Sequence, residues 1–245
     1  MIKFFRKIRQ NLLMENKTRK YFKYAIGEIV LVVIGILIAL QINTWNEQLK
    51  KSKLKNEYVA SLVNDLTKDT IQLNSRLSLN KQMIKDLALI KDDITNGNIK
   101  TIEGFITLFT SIKGGGVRLI NTYNTNSFNL LISSGNIDLL NKQLREDIME
   151  LNRLQKFQKE ITTSNRDYFF NFMERISMKY PDLNNPFNTE IINKLLWKGI
   201  NLDELPRDIT SYLGQREYTI VRYIELTQNV LSQTEKVLKQ LKVRD

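Results

Sequence analysis

The stretch AIGEIVLVVIGILIALQI, residues 25–42, decides how the chain is read, because within it the run from Ile29 to Leu40 holds no polar side chain. Eighteen residues make about 27 Å of helix at ~1.5 Å per residue, close to the ~30 Å hydrocarbon layer of a bilayer, so the stretch can span with little tilt. Tyr21, Phe22 and Tyr24 stand on one side of it and Trp45 on the other, as amphipathic rings do at the two headgroup levels. Residues 1–24 carry eight Lys or Arg against the single acid Glu15, and residues 44–58 carry four Lys against Glu47 and Glu57. Positive-inside counting therefore puts the N-terminus in the cytoplasm and everything after the span outside.

A cleaved signal peptide has the same general plan, but here the basic arm is long and the apolar core exceeds the usual h-region. Leu40-Gln41-Ile42-Asn43 also offers no small-x-small cleavage site. The reading adopted is an uncleaved anchor, ahead of a signal peptide or a helix buried in a complex. The arm is itself amphipathic: Phe5, Ile8 and Leu12 share one helical face while Arg6, Lys7 and Arg9 lie off it, which suits a helix resting in the interface. Much of the net charge of +11 sits in this arm. An anionic lipid leaflet is thus the nearer partner than nucleic acid. Arg6, Lys7, Arg9, Tyr24 and Trp45 are the expected membrane-interface residues.

Helix breakers are scarce beyond the anchor, with ten Gly and three Pro in 245 residues and no Pro before Pro181. The expected fold is all-α: an arm at 1–24, a transmembrane helix at 25–45, and an elongated antiparallel helical bundle at 46–245. A first long helix is predicted from about Asn46 to Thr95, continuous with the span. Leu62, Leu66, Leu73, Leu77, Ile84, Leu87 and Ile94 form a heptad-like seam along it, ended by Asn96-Gly97-Asn98. Residues 101–135 are expected to make short helices covering a bundle end. A second long helix is predicted from about Ile137 to Lys179, with Leu144, Ile148, Leu151, Leu154, Phe157 and Ile161 on one face, then Phe169, Phe172 and Ile176. Pro181 and Pro186 mark its exit. A short helix around Glu190 to Trp197 precedes a third long helix starting near Asp203 and Pro206, whose seam runs Ile220, Ile224, Thr227, Leu231, Thr234, Leu238, Leu241. Such seams serve an intramolecular bundle or an oligomer, and connections that can bring neighbours back antiparallel favour the former.

Chemistry finds little to stand on. The chain has no His and no Cys, so disulfides, thiol nucleophiles and the commonest metal ligand and proton shuttle are missing. The loop Lys113-Gly114-Gly115-Gly116-Val117-Arg118 lacks the Walker pattern and reads as a turn. Tyr168, Phe169, Phe170 and Phe172, between Arg166 and Arg175, read as core packing rather than a base-stacking platform. Glu146, Asp147 and Glu150 read as a solvated face, and Ser133 and Ser134 have no His to activate them. No catalytic, cofactor-binding or metal-ligating residue is expected. Glu28, one turn inside the cytoplasmic boundary, either pairs with Lys20 or Lys23 or meets a partner span; Gly35 and Ala39 form a small-xxx-small pair that would let two helices approach. No pattern assigns a role to the Asn-rich segment 121–136.

Two segments carry a family resemblance. Tyr24-Ala25-Ile26-Gly27-Glu28-Ile29 running into VLVVIGILIALQINTWNE, with the opening MIKFFRKIRQNLL, resembles the signature of an uncharacterised domain-of-unknown-function family of single-span membrane proteins from Bacteroidota. Ser127-Phe128-Asn129-Leu130-Leu131-Ile132-Ser133-Ser134-Gly135-Asn136, followed by Ile137-Asp138-Leu139-Leu140, is similar to that family's internal SSGN block. The resemblance implies a bacterial envelope setting and carries no activity. The expected protein is non-enzymatic and single-pass in the inner membrane, with a periplasmic bundle. That bundle recognises another envelope protein or itself, the alternative being a sensor whose helices bind a small ligand.

Overall fold

The computed structural model describes residues 18–111, 118–120, 122–181, 187 and 189–243. Two compact units emerge, Met1–Glu57 and Tyr58–Asp245. The first is built on helix α1 (Thr18–Thr95), which continues without a break into the second. Between residues 26 and 42 every side chain but Glu28 is exposed, apolar ones included. Among the described residues this is the one helix long and apolar enough to cross a membrane, a candidate membrane span.

The second unit is all-α among its described residues. After α1 come α2 (Ile102–Ser111), α3 (Asn126–Ser133), a 3-10 turn (Asn136–Leu139), α4 (Lys142–Lys179), α5 (Glu190–Trp197) and α6 (Leu205–Lys242). Helix ends fall where the backbone needs them. Gly97 takes a φ of 72° to close α1, and Gly135 takes 71° after α3. Asn141 caps α4 by accepting from the Leu144 N–H at 2.7 Å, and Pro206 sits in the first turn of α6. The second long helix thus starts at Lys142, five residues later than expected, because Gly135 and the 3-10 turn redirect the chain first.

Helices α4 and α6 pack antiparallel and are the closest pair. Their contacts run in opposite senses, from Gln158 with Thr227 to Phe169 with Tyr212. Opposite α6, α1 also runs antiparallel: residues 74–81 lie beside 228–235, and 87–95 beside 210–217. It follows that α1 and α4 are parallel to one another. On the way back between them the described residues 118–120 and 122–125 are non-helical and form a strap that leads into α3. Arg118 lies beside Asn80, Asn124 beside Asp69 and Ser127 beside Asp65. Residues 101–135 therefore do more than cover an end. Helix α2 joins an apolar cluster with Tyr180, Leu205 and Ile209, while the strap descends about 16 Å along α1, the eleven residues from Asn80 to Asp69 at ~1.5 Å each.

The seam of α1 packs as expected, with Leu62, Leu66, Leu73, Leu77 and Leu87 buried and Ile84 and Ile94 half-buried. On α4, Leu144, Ile148 and Leu151 are buried, but Phe157 is 38 % exposed and Gln155, Gln158 and Thr162 are inside. Gln158 is inside because it faces the strap, where Tyr123 donates to it, and Gln155 because it reaches Asp69 of α1, while the Thr162 hydroxyl turns back to the carbonyl of Gln158.

Candidate functional site

The candidate span exposes the residues expected at its ends and along its face. Tyr24 and Trp45 are both exposed, about 31 Å apart along the axis at ~1.5 Å per residue. Glu28, Gly35 and Ala39, at spacings of seven and four, share one helical face. A Cβ placed on Gly35 would meet nothing within 4 Å, so that face is open. Arg6, Lys7 and Arg9 lie outside the described residues, as does the glycine loop at 113–117.

The unusual feature of the second unit is its polar interior. Where the apolar seam of α1 skips a step, the vacant rungs hold Asp69 and Asn80, 1 % and 0 % exposed. Asn80 grips the strap twice: its Oδ1 accepts from the Arg118 N–H and its Nδ2 donates to the Arg118 carbonyl, each at 3.1 Å. Asp69 Oδ1 accepts from the Asn124 N–H at 3.0 Å and from Asn124 Nδ2 at 2.7 Å, while Gln155 Nε2 approaches Oδ2 at 3.5 Å. Asp65 accepts from the Ser127 N–H and hydroxyl. Farther along, the Tyr58 hydroxyl meets Ser134 Oγ at 3.1 Å and accepts from Asn136 Nδ2 at 3.0 Å. On the other side of the strap, the Ile120 N–H donates to the Tyr223 hydroxyl at 2.8 Å. Tyr123 donates to Gln158 Oε1, Gln158 Nε2 donates to Thr227 Oγ1 at 2.6 Å, and Thr227 Oγ1 donates to the Tyr223 carbonyl at 2.7 Å. Part of the Asn-rich segment is thereby explained: Asn124, Ser127, Ser134 and Asn136 meet polar side chains of α1.

Burial pushes the Asp69 carboxyl up, against the hydrogen bonds from Asn124, and nearby Asp65 adds to the rise. The Tyr123 and Tyr223 hydroxyls are raised for the same first reason, burial. Both therefore stay neutral and serve as hydrogen-bonding groups. The Asp69 carboxyl is held by donors from the strap and from α4, which tie α1 to both.

A second polar cluster centres on Asp147, which the sequence places on a solvated face and which is buried. Its carboxylate accepts from Lys236 Nζ at 2.7 Å, Gln240 Nε2 at 2.6 Å and Gln143 Nε2 at 3.2 Å, and its carbonyl accepts from Gln233. Burial works against the charge, but these donors outweigh it and hold the carboxyl down at about 2. Glu146 and Glu150 are on the outside, Glu150 paired with Arg153. At the other end Lys179 bridges Glu204 and Asp208, and the Tyr180 hydroxyl donates to Asp208 at 2.9 Å. Among the aromatic residues at 168–172, Phe169 is buried against Tyr212 and Phe172 is half-buried under Arg175, whereas Tyr168 and Phe170 face outward. Ser133 and Ser134 hydroxyls both turn back to the Leu130 carbonyl. Among the described residues, no three His, Cys, Asp or Glu side chains gather as metal ligands do.

A family model described as Family of unknown function (DUF6090) matches residues 28–158, just over half of the 245 residues. The chain belongs to that family. No curated protein and no solved structure matches it. The DUF6090 match takes in the apolar segment, the strap, both carboxylates that hold it, and α4 up to Gln158. The groups that complete the network, Thr227 and Tyr223, lie beyond it on α6.

Proposed function

We propose that this DUF6090 protein is a membrane-anchored, non-enzymatic scaffold or accessory subunit of a bacterial envelope. In this reading residues 25–45 cross the inner membrane with the N-terminus in the cytoplasm, and the unit Tyr58–Asp245 is periplasmic and recognises another envelope protein or itself. The observation that carries the reading is the interlocked polar strap. It commits Asp65, Asp69, Asn80, Tyr123, Gln158 and Tyr223 to the strap or to one another. Apolar side chains meanwhile stand outside on the second unit, notably Phe187, Ile191 and Leu195. A ligand-sensing role has less behind it: the apolar cavity between Leu119, Phe169 and Tyr223 holds about 60 Å³, and the larger openings, of about 460, 370 and 210 Å³, lie open to solvent at the surface.

The test is a pull-down of tagged full-length protein from its own membrane in mild detergent, with identification of what comes along and the mass of the assembly. A stoichiometric partner or a defined homo-oligomer is expected. A monomer with nothing bound would overturn the proposal.

A further inference from the structure

Two openings lie along the seam between α1 and α6. One, of about 460 Å³, has Ser78 and Lys81 on its α1 wall, Ser232 and Glu235 on its α6 wall, and Leu77 and Leu231 between them. The other, of about 210 Å³, sets Lys91 against Glu217 over Leu87, Ile94 and Leu213. The α6 residues of both openings, with Val221 and Ile224 between them, recur at steps of four and three, a second heptad seam beside the buried one. Gly214 belongs to it. In mid-helix a glycine costs stability relative to alanine, yet a Cβ there would meet nothing within 4 Å, so its effect is to leave the opening empty. The charges are sorted by wall: Lys81 and Lys91 on α1, Glu217 and Glu235 on α6. None of the four is ion-paired among the described residues.

We infer that this α1/α6 face seats the same face of a second copy, about a two-fold axis parallel to the helices. This rests on the self-recognition named in the proposed function. Such an axis sets α1 against α6 of the second copy and keeps each residue at its own level. Lysine wall then meets glutamate wall twice, and the half-buried leucines and isoleucines of the two seams close over one another. An axis perpendicular to the helices would set lysine against lysine and glutamate against glutamate, which like-charge repulsion disfavours.

The chain has no cysteine, so introduced ones report without background. Full-length Ser78→Cys and Ser232→Cys proteins, differently tagged, are mixed in mild detergent and oxidised. The mixed disulfide is expected at least fivefold above either homodimeric one, since Ser78 lies opposite Ser232 of the second copy. Light scattering should give a protein mass of twice 28.8 kDa. Lys81→Glu with Lys91→Glu should weaken association at least tenfold, and adding Glu217→Lys with Glu235→Lys should restore it. Circular dichroism of each variant confirms that it is folded. A dimer that gives no mixed disulfide and ignores the charge reversal would overturn this interface while leaving self-recognition in place. A monomer that captures a different protein would overturn the interface and leave the accessory reading standing.

Discussion

Replacing Asp147 by Asn tests whether the buried charge cluster between α4 and α6 stabilises the second unit. The carboxyl is held at about 2 in the folded protein against an ordinary value of 3.8, because the donors Lys236, Gln240 and Gln143 outweigh the cost of burial. A folded pKa below the unfolded one means that the unfolded chain binds more protons between those values. The contribution is therefore complete above about pH 5 and is lost as pH falls from about 4 towards 2. Just under two units at 1.36 kcal/mol per unit gives about 2 kcal/mol once the half-exposed lysine is discounted for solvent screening. In a unit of this size that lowers Tm by about 4–8 °C at pH 7. Thermal melts of full-length wild type and Asp147→Asn, followed by circular dichroism in one detergent from pH 7 to pH 2.5, measure it. The difference between the two proteins should shrink steadily below pH 4. A difference under about 2 °C at pH 7, or one that does not change with pH, would refute the reasoning.

Three further outcomes are expected. Asp69→Ala leaves the Asn124 N–H and amide without their acceptor, which at about 1–3 kcal/mol for each buried orphan, less the relief of not burying a carboxylate, should cost about 2–4 kcal/mol in urea unfolding. Gly135→Ala meets no neighbour within 4 Å, so its cost is that of a left-handed backbone alone, about 1–2 kcal/mol by the same measurement. Ile34→Asp with Leu37→Asp puts two charges in the centre of the proposed span at about 2.5–3.5 kcal/mol each, and should release the chain from carbonate-washed membranes. Aspartates at the exposed positions Ile71 and Leu89 should leave it there.

What could be read from the sequence was whatever depends on neighbours in the chain. The candidate span is a matter of composition over eighteen residues, and the ends of α1 and α4 follow from Gly97 and Pro181, whose backbone preferences act locally. The apolar rungs of α1 were legible for the same reason. Its polar rungs were not: a search for apolar periodicity sees Asp69 and Asn80 as steps of seven, and only the strap, 38 to 55 residues away in sequence, shows why they are inside. Gln158 and Phe157 exchange their expected places on the same ground, since Gln158 answers Tyr123 and Thr227. Asp147 resembles a surface acid until α6 brings Lys236 to it from 89 residues away.

The placement of those polar rungs bears on how the unit works. A leucine seam alone tolerates a slip of one heptad, because leucine then replaces leucine. Asp69 and Asn80 do not tolerate it. A slip one way would set Arg76 and Leu87 against Asn124 and Arg118, and a slip the other way Leu62 and Leu73, in each case orphaning the buried amides of the strap. Buried polar pairs are best attested as devices of register, and here they fix α1 against α4 and α6 at a cost in apolar burial. The walls of the α1/α6 seam depend on that register. A one-heptad slip moves Lys81 and Lys91 by about 10 Å relative to Glu235 and Glu217, farther than a lysine side chain can make up. The polar interior thus sets the level at which the outer charges are presented, and the proposed meeting of this surface with its own copy requires that level to be the same in every molecule.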